Sequence, residues 1–141
     1  MAFSPAAGPA LRAPCPVRRA RAVARGIEDD RELAAVGLSE REARKKNLDV
    51  EIATMPFGDV ARAIEVDEPA GLLKVILDRR TERLVGAAIV GAEAGELIHV
   101  YVALMKANAS PRAFVDAEAV HPTFNEGVQS VLMRLPRFAL S

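Results

Sequence analysis

The C-terminal part of the chain carries a histidine, a proline and a glutamate at a spacing suited to proton transfer. His121 is one of two histidines in 141 residues, Pro122 follows it directly, and Glu126 stands five residues after it. Because the residue before a proline is disfavoured in helical conformation, His121 should stand just before the next helix. A carboxylate one turn into that helix can reach back, fix the imidazole tautomer and make it a usable general acid or base.

Glu126 also fits a purely structural role. Thr123 and Glu126 form a T-x-x-E pattern, typical of a capping box in which the carboxylate satisfies an unpaired amide at the helix start. Spacing alone leaves both roles open. The catalytic interpretation makes His121 and Glu126 an acid/base pair, whereas the structural one makes Glu126 a cap.

The remaining candidates for chemistry are weaker. His99 falls on a predicted helix opposite a stripe formed by Leu97, Ile98 and Tyr101, so we expect it to be solvated. The glycines near residues 91–95 do not spell a dinucleotide-binding loop, and the sequence contains no Walker loop. With one cysteine, Cys15, neither an internal disulfide nor a cysteine metal cluster is available, and no metal site is predicted.

The elements that would position His121 and Glu126 follow from the hydrophobic pattern. Strands are predicted at ELAAVGL, LDVEIATMPF, GLLKVILD and LVGAAIVG, the last two joined as a hairpin through RRTER. Helices are predicted after the S-x-x-E capping box at Ser39, over residues 94–109, after Ser110 and after Pro122, with a short helical or irregular crossover in GDVARAIEV. The predicted fold class is α+β, a mostly antiparallel sheet packed against helices on one face.

Charge is unevenly distributed along the chain. Residues 1–25 hold five arginines and no acid, which leaves the rest of the chain net negative and without a broad basic surface for nucleic acid. Residues 1–27 are rich in Ala, Pro and Arg and predict a disordered extension, with an organelle transit peptide as a minor alternative. Residues 28–141 are predicted to form the folded domain. No stretch is apolar enough to span a membrane, so we expect a cytoplasmic protein without a membrane partner.

Three segments in order carry a family resemblance: ELAAVGLSEREARKK, GLLKVILDRRTERLVGAAIVGAEAGELI and HPTFNE. Together they resemble the C-terminal dimerisation domain of the pyridine nucleotide-disulfide oxidoreductases, the family of dihydrolipoamide dehydrogenase and glutathione reductase, over about Glu32 to Leu135. The resemblance implies that His121 is the acid/base for a redox-active dithiol and that Glu126 holds it. It also implies that His121 and Pro122 approach the flavin of the partner subunit, across a bond that is often cis.

The sequence also departs from the family pattern. Members carry an FAD domain, a C-x4-C redox pair and an NAD(P) domain upstream, and EDDR replaces the family's usual residues before the first strand. We therefore expect no FAD or NAD(P) to be bound by this chain alone, and we interpret it as a truncated or split product. Mercuric reductases share the EGVQSVLMRL region but usually end in a cysteine pair and lack this histidine, so mercury chemistry is disfavoured.

Two functions from different classes follow. The first is the interface domain of a flavin-dependent disulfide oxidoreductase, inactive alone and paired either with itself as a homodimer or with the missing FAD and NAD(P) domains. The second is a free-standing homodimerisation or association module without catalysis. An independent acid/base enzyme using His121 and Glu126 is the weakest alternative, because the sequence shows no further convergent polar group.

Overall fold

The structure, a computed structural model, describes residues 22–26 and 32–138. Within them the strands are β1 (Ala22–Gly26), β2 (Glu32–Gly37), β3 (Val50–Pro56), β4 (Leu72–Asp78) and β5 (Arg83–Gly91). The helices are α1 (Glu40–Lys45), α2 (Ala61–Glu65), α3 (Ala94–Lys106), α4 (Arg112–Val115) and α5 (Asn125–Met133), with a 3-10 turn at Phe57–Asp59. The predicted strands, crossover and helices are confirmed at nearly these bounds.

One antiparallel sheet has the strand order β1-β2-β5-β4-β3. The three strands β3, β4 and β5 follow one another along the chain, and β2 pairs with β5 from the other side. A bulge between Ile76 and Leu77 shifts the β4–β5 register. On a regular strand, residues three positions apart face opposite sides of the sheet. Because of the bulge, Leu84 and Ala87 of β5 both face the main core. The predicted α+β class is therefore confirmed.

The main core lies between one face of this sheet and two helices. Helix α3 packs across β2 and β5, and α5 packs across β3 and β4. Fully buried side chains of the strands and helices interdigitate there, among them Leu73, Val75, Ile89, Tyr101, Val131 and Leu132. Burying each large apolar side chain contributes about 1.5–3 kcal/mol, so this layer fixes where α5 and its first turn lie.

A smaller cluster lies beneath α1. Ala43 of the helix, Ile76 of β4 and Val85 of β5 are buried together there. Helix α1 begins with the predicted capping box, in which the Ser39 side chain accepts from the Glu42 N–H and the Glu42 carboxylate accepts from the Ser39 N–H. The Ser39 hydroxyl also donates to Glu42 Oε2 at 2.7 Å, and this bond, followed by the one from the Ser39 N–H, lowers the pKa of Glu42. This helix end matches its sequence prediction in full.

The predicted extension differs from the structure at one place. Residues 22–26 form β1, which pairs with β2 from Ala22 opposite Val36 to Gly26 opposite Glu32. The segment AVARG has no marked apolar period, and backbone pairing to a neighbouring strand does not require one. These five residues therefore belong to the sheet rather than to a disordered extension. The rest of the predicted extension, residues 1–21 and 27, lies outside the described residues.

The chain after α5 is anchored to the sheet by an ion pair. The guanidinium of Arg137 donates to both carboxylate oxygens of Glu51, with Nη2 2.9 Å from Oε1 and Nε 3.2 Å from Oε2. Glu51 lies on β3 and its side chain is only 8% exposed. Hydrogen bonding to Glu51 raises the pKa of Arg137 above its ordinary value. A bidentate pair of this kind requires a specific geometry, so it fixes the position of the chain after α5 relative to β3.

No helix within the described residues is long and apolar enough to cross a membrane.

Candidate functional site

The structure brings His121 and Glu126 together at the start of α5. The imidazole Nδ1 lies 2.9 Å from Glu126 Oε1 and 3.1 Å from Oε2. The peptide bond between His121 and Pro122 is cis. Because an ionised carboxylate can only accept, Nδ1 must carry the hydrogen in this contact, which fixes the tautomer of the neutral ring.

The same carboxylate also caps the helix. Glu126 Oε2 accepts from the Thr123 N–H at 3.0 Å. The Thr123 hydroxyl, by contrast, donates backwards to the Val120 carbonyl at 2.8 Å, so the hydroxyl half of the predicted capping box is replaced by a turn. Capping and pairing with His121 are therefore not alternatives, because one carboxylate does both.

Two hydrogen bonds control the acidity of Glu126. The Thr123 N–H makes the larger contribution and His121 the next, and together they hold the pKa of Glu126 below its usual value of 4.5. The carboxylate is thus ionised at neutral pH, as it must be to accept from both donors. The site presents a fixed negative charge behind the imidazole.

The imidazole itself points away from the body of the domain. The His121 side chain is 70% exposed, whereas that of Glu126 is 23% exposed. With Nδ1 committed to the carboxylate, Nε2 is the nitrogen left to exchange a proton with another molecule. Among the described residues no hydrogen bond is made by Nε2. The arrangement is therefore suited to proton transfer with a group brought from outside this domain.

Packing around the first turn of α5 holds the pair in place. The ring of Phe124 stacks on Phe57 at a centroid distance of 5.6 Å. Gly127 lets the helix approach the chain after β3 closely, since a Cβ at this position would lie 2.6 Å from Val60 Cγ2. The hydroxyl of buried Tyr101 on α3 donates to the Val128 carbonyl at 2.9 Å. Together these contacts link the site helix to the chain after β3 and to α3.

The segment between α4 and α5 that carries His121 is called here the histidine loop, residues 116–124. The side chain of Gln129, in the middle of α5, contacts the chain where this loop begins: its Nε2 donates to the Phe114 carbonyl at 2.8 Å and the Ala117 carbonyl at 2.6 Å. No sequence motif singled out Gln129. Its signal was an amide side chain in a helix whose neighbouring positions, Val128 and Val131, are apolar.

The other sequence candidates do not join this site. His99 is exposed on α3, as predicted, and its Nδ1 lies 3.3 Å from the Glu96 carbonyl. A cavity of about 350 Å³ lies instead beside α1, lined by residues that include Leu38, Ile76 and Lys74. Within the described part of the chain, no group of three or more His, Cys, Asp or Glu residues could hold a metal ion.

Comparisons with known proteins agree on one family. The family model described as pyridine nucleotide-disulphide oxidoreductase, dimerisation domain, matches residues 23–132. Mycothione reductase of Mycobacterium tuberculosis is 32% identical over 116 residues, which cover 82% of this chain and 25% of the relative. Dihydrolipoyl dehydrogenase of Thermus scotoductus is 35% identical over 109 residues, 77% of this chain and 24% of the relative.

A solved structure gives the same result. A mutant of the HOCl-induced flavoprotein disulfide reductase RclA from Escherichia coli, in a Cu(II) complex, aligns with a TM-score of 0.76 and 25% identity. The alignment covers 82% of this chain and 26% of that chain. The chain spans between about a fifth and a quarter of the length of the curated relatives it matches. Since the family model covers well over half of its residues, this chain belongs to the dimerisation-domain family of the pyridine nucleotide-disulphide oxidoreductases.

Proposed function

We propose that this chain serves as the interface domain of a flavin-dependent disulfide oxidoreductase and supplies His121 as acid/base to the dithiol site of a partner subunit. Family membership supports the dimerisation role. One observation supports the catalytic role: an exposed imidazole has its Nδ1 held by a carboxylate, so that Nε2 faces outward. These 141 residues contain one cysteine, so they do not themselves supply the dithiol.

The proton chemistry follows from the tautomer. Nε2 accepts the proton of an attacking thiol, which becomes a thiolate while the ring becomes imidazolium. The Nδ1–H remains on the ring and hydrogen-bonded to Glu126 throughout, and the carboxylate stabilises the positive ring. In the reverse direction Nε2 returns the proton to a leaving thiolate. His121 is the catalytic residue in this scheme, and Glu126 holds it.

The family's members are flavoproteins that use FAD and NAD(P). A flavin supplies the electron relay between a nicotinamide and a disulfide when it is bound in such an enzyme. The glycines of this sequence do not form a phosphate-binding loop, but exposed His121 and neighbouring Pro122 could contact a flavin held by another domain. We therefore propose these two residues as the flavin contacts and the FAD and NAD(P) domains as partners, together with a second copy of this chain.

A domain exchange tests the proposal. The FAD and NAD(P) domains of the Thermus scotoductus relative, joined to this chain in place of their own dimerisation domain, should form a homodimer that turns over a dithiol substrate. Replacing a positioned acid/base typically costs about 10²–10⁴-fold in rate, so His121→Gln should lower kcat by that order. His99→Gln, at the other exposed histidine, is the matched control and should leave kcat unchanged.

The possible outcomes separate the proposals. A dimer in which His121→Gln has no effect would support an association module and exclude the acid/base role. Sedimentation of the full chain as a monomer at high micromolar concentration, with the exchanged enzyme also monomeric, would exclude the homodimer. Loss of activity in His99→Gln as well as His121→Gln would show that the histidine effect is not specific.

A further inference from the structure

We infer that Gln129 is a positioning residue that holds the histidine loop, residues 116–124, so that His121 reaches Glu126. Its functional meaning depends on the acid/base role proposed above, but the contact itself can be tested without catalysis. Gln129 lies on α5 one turn after Glu126, and residues three apart on a helix are neighbours on its surface. One helix face therefore holds both ends of the loop.

At the start of the loop, the Gln129 amide meets a cluster of backbone acceptors. Its Nε2 lies 2.8 Å from the Phe114 carbonyl and 2.6 Å from the Ala117 carbonyl, and 3.3 Å from that of Val115. Helix α4 ends at Val115, so its last carbonyls are not bonded within the helix, although the Phe114 carbonyl also accepts from the Ala117 N–H at 3.2 Å. The two amide hydrogens match the two short contacts, and three surrounding carbonyls allow only the NH2 end of the side chain here.

At the other end of the loop, Glu126 makes the contacts already described with His121 and with the Thr123 N–H. Between the two ends, the residues at 116–118 and at 120 are exposed, so packing contributes little to their position. Gln129, by contrast, is only 7% exposed. Two polar side chains of α5 thus hold the loop, one at each end, in addition to the turn made by Thr123 and the stacking of Phe124 on Phe57.

Removing the amide should release the first end. Gln129→Met keeps similar volume at a buried position but cannot donate, which leaves the Phe114 and Ala117 carbonyls without this partner. The loop then loses its fixed starting point, and His121 loses part of its contact with Glu126. Gln129→Asn keeps an amide on a side chain one methylene shorter, so it should give a smaller loss in the same direction.

The test is an NMR measurement of the ring nitrogens of His121 in the full chain. We expect the Nδ1–H tautomer to dominate in the native protein and to decrease in Gln129→Met toward the level found in Glu126→Gln. His99, whose Nδ1 lies 3.3 Å from the Glu96 carbonyl, is distant from Gln129 in sequence and should keep its own tautomer population in the same spectra. Val131→Ala is the matched control, because it destabilises the buried side of α5 and should leave the His121 tautomer as in the native protein.

Two results would overturn the inference. A native tautomer population in both Gln129→Met and Gln129→Asn would show that the loop does not depend on Gln129. An equal change in Val131→Ala would show that any weakening of α5 has this effect. If Gln129→Met does not fold, Gln129→Asn decides. A failure here would leave the domain-exchange result standing, since that experiment measures the role of His121 and not of Gln129.

Discussion

At the scale of single residues, Glu126 has two partners of unequal weight. The Thr123 N–H contributes more to its lowered pKa than His121 does, since it is a fixed backbone donor inside the helix cap. Because the two contributions differ in size, the Glu126 pKa in a variant without His121 distinguishes the contact with Thr123 from the contact with the imidazole.

We expect the Glu126 pKa to stay below its usual value of 4.5 in His121→Ala, although less far below it than in the native chain. Because the folded-state pKa is lowered, the stability that Glu126 contributes is present above its unfolded pKa and is lost as the pH falls through the folded pKa. Carboxyl ¹³C titration of both proteins measures the shift. A full return of the pKa to its usual value in His121→Ala would mean that Thr123 contributes nothing.

Sequence patterns identified His121 and Glu126 as candidates but left open whether the carboxylate pairs with the imidazole or caps the helix. The His-Pro step places the histidine before the helix, and the spacing of five residues brings Glu126 back to it. The turn made by the Thr123 hydroxyl could not be foreseen, since threonine can either accept from the helix or donate to the preceding turn. Gln129 was missed because its acceptors, the carbonyls of residues 114 and 117, carry no side-chain signal.

At the scale of elements, the contact between α3 and α5 is reinforced by one buried hydrogen bond. Tyr101 is fully buried, and its hydroxyl donates to the Val128 carbonyl. Burial raises the pKa of Tyr101 well above 10.0, so the phenol remains a neutral donor. This bond joins the helix that covers β2 and β5 to the helix that carries Glu126.

Tyr101→Phe should lower the free energy of unfolding by about 0.5–1.5 kcal/mol, the usual net value of such a bond. Because the folded pKa of Tyr101 is raised, the contribution of the bond is fully present below pH 10.0 and is lost only as the pH rises through the folded pKa. Urea denaturation of both proteins at neutral pH provides the measurement. An unchanged unfolding midpoint and slope would show that the hydroxyl finds an equally good partner in the unfolded chain.

The helices and the inner strands were predictable because apolar periodicity and caps identify them. Strand β1 was not, because AVARG pairs through its backbone and carries no alternating pattern. The bulge between Ile76 and Leu77 was also missed, since register depends on tertiary pairing. The burial of the Glu51 carboxylate among the apolar residues of β3 was not predictable either, because Arg137, which pairs with it, lies far along the sequence.

At the scale of the whole molecule, α5 is fixed at both of its ends. Its first turn is capped by Glu126, and the chain after its last turn is tied to β3 by the pair of Arg137 and Glu51. Between these ends its apolar side packs on β3 and β4. The exposed imidazole therefore stands at the start of a helix that is held at both ends, which would suit the acid/base role proposed for it.

The strand order has a consequence for folding kinetics. Strands β3, β4 and β5 follow one another in sequence, form a three-stranded meander and can pair early. Strand β2 pairs with β5 only after the long stretch of chain that contains α1, β3 and β4 has closed into a loop. We expect the transition state to contain the meander without β2. Weakening β2 with Ala34→Gly should then mainly accelerate unfolding, while Val75→Ala in β4 should mainly slow refolding. Stopped-flow chevrons distinguish the two, and a slower refolding rate in Ala34→Gly would place β2 in the nucleus.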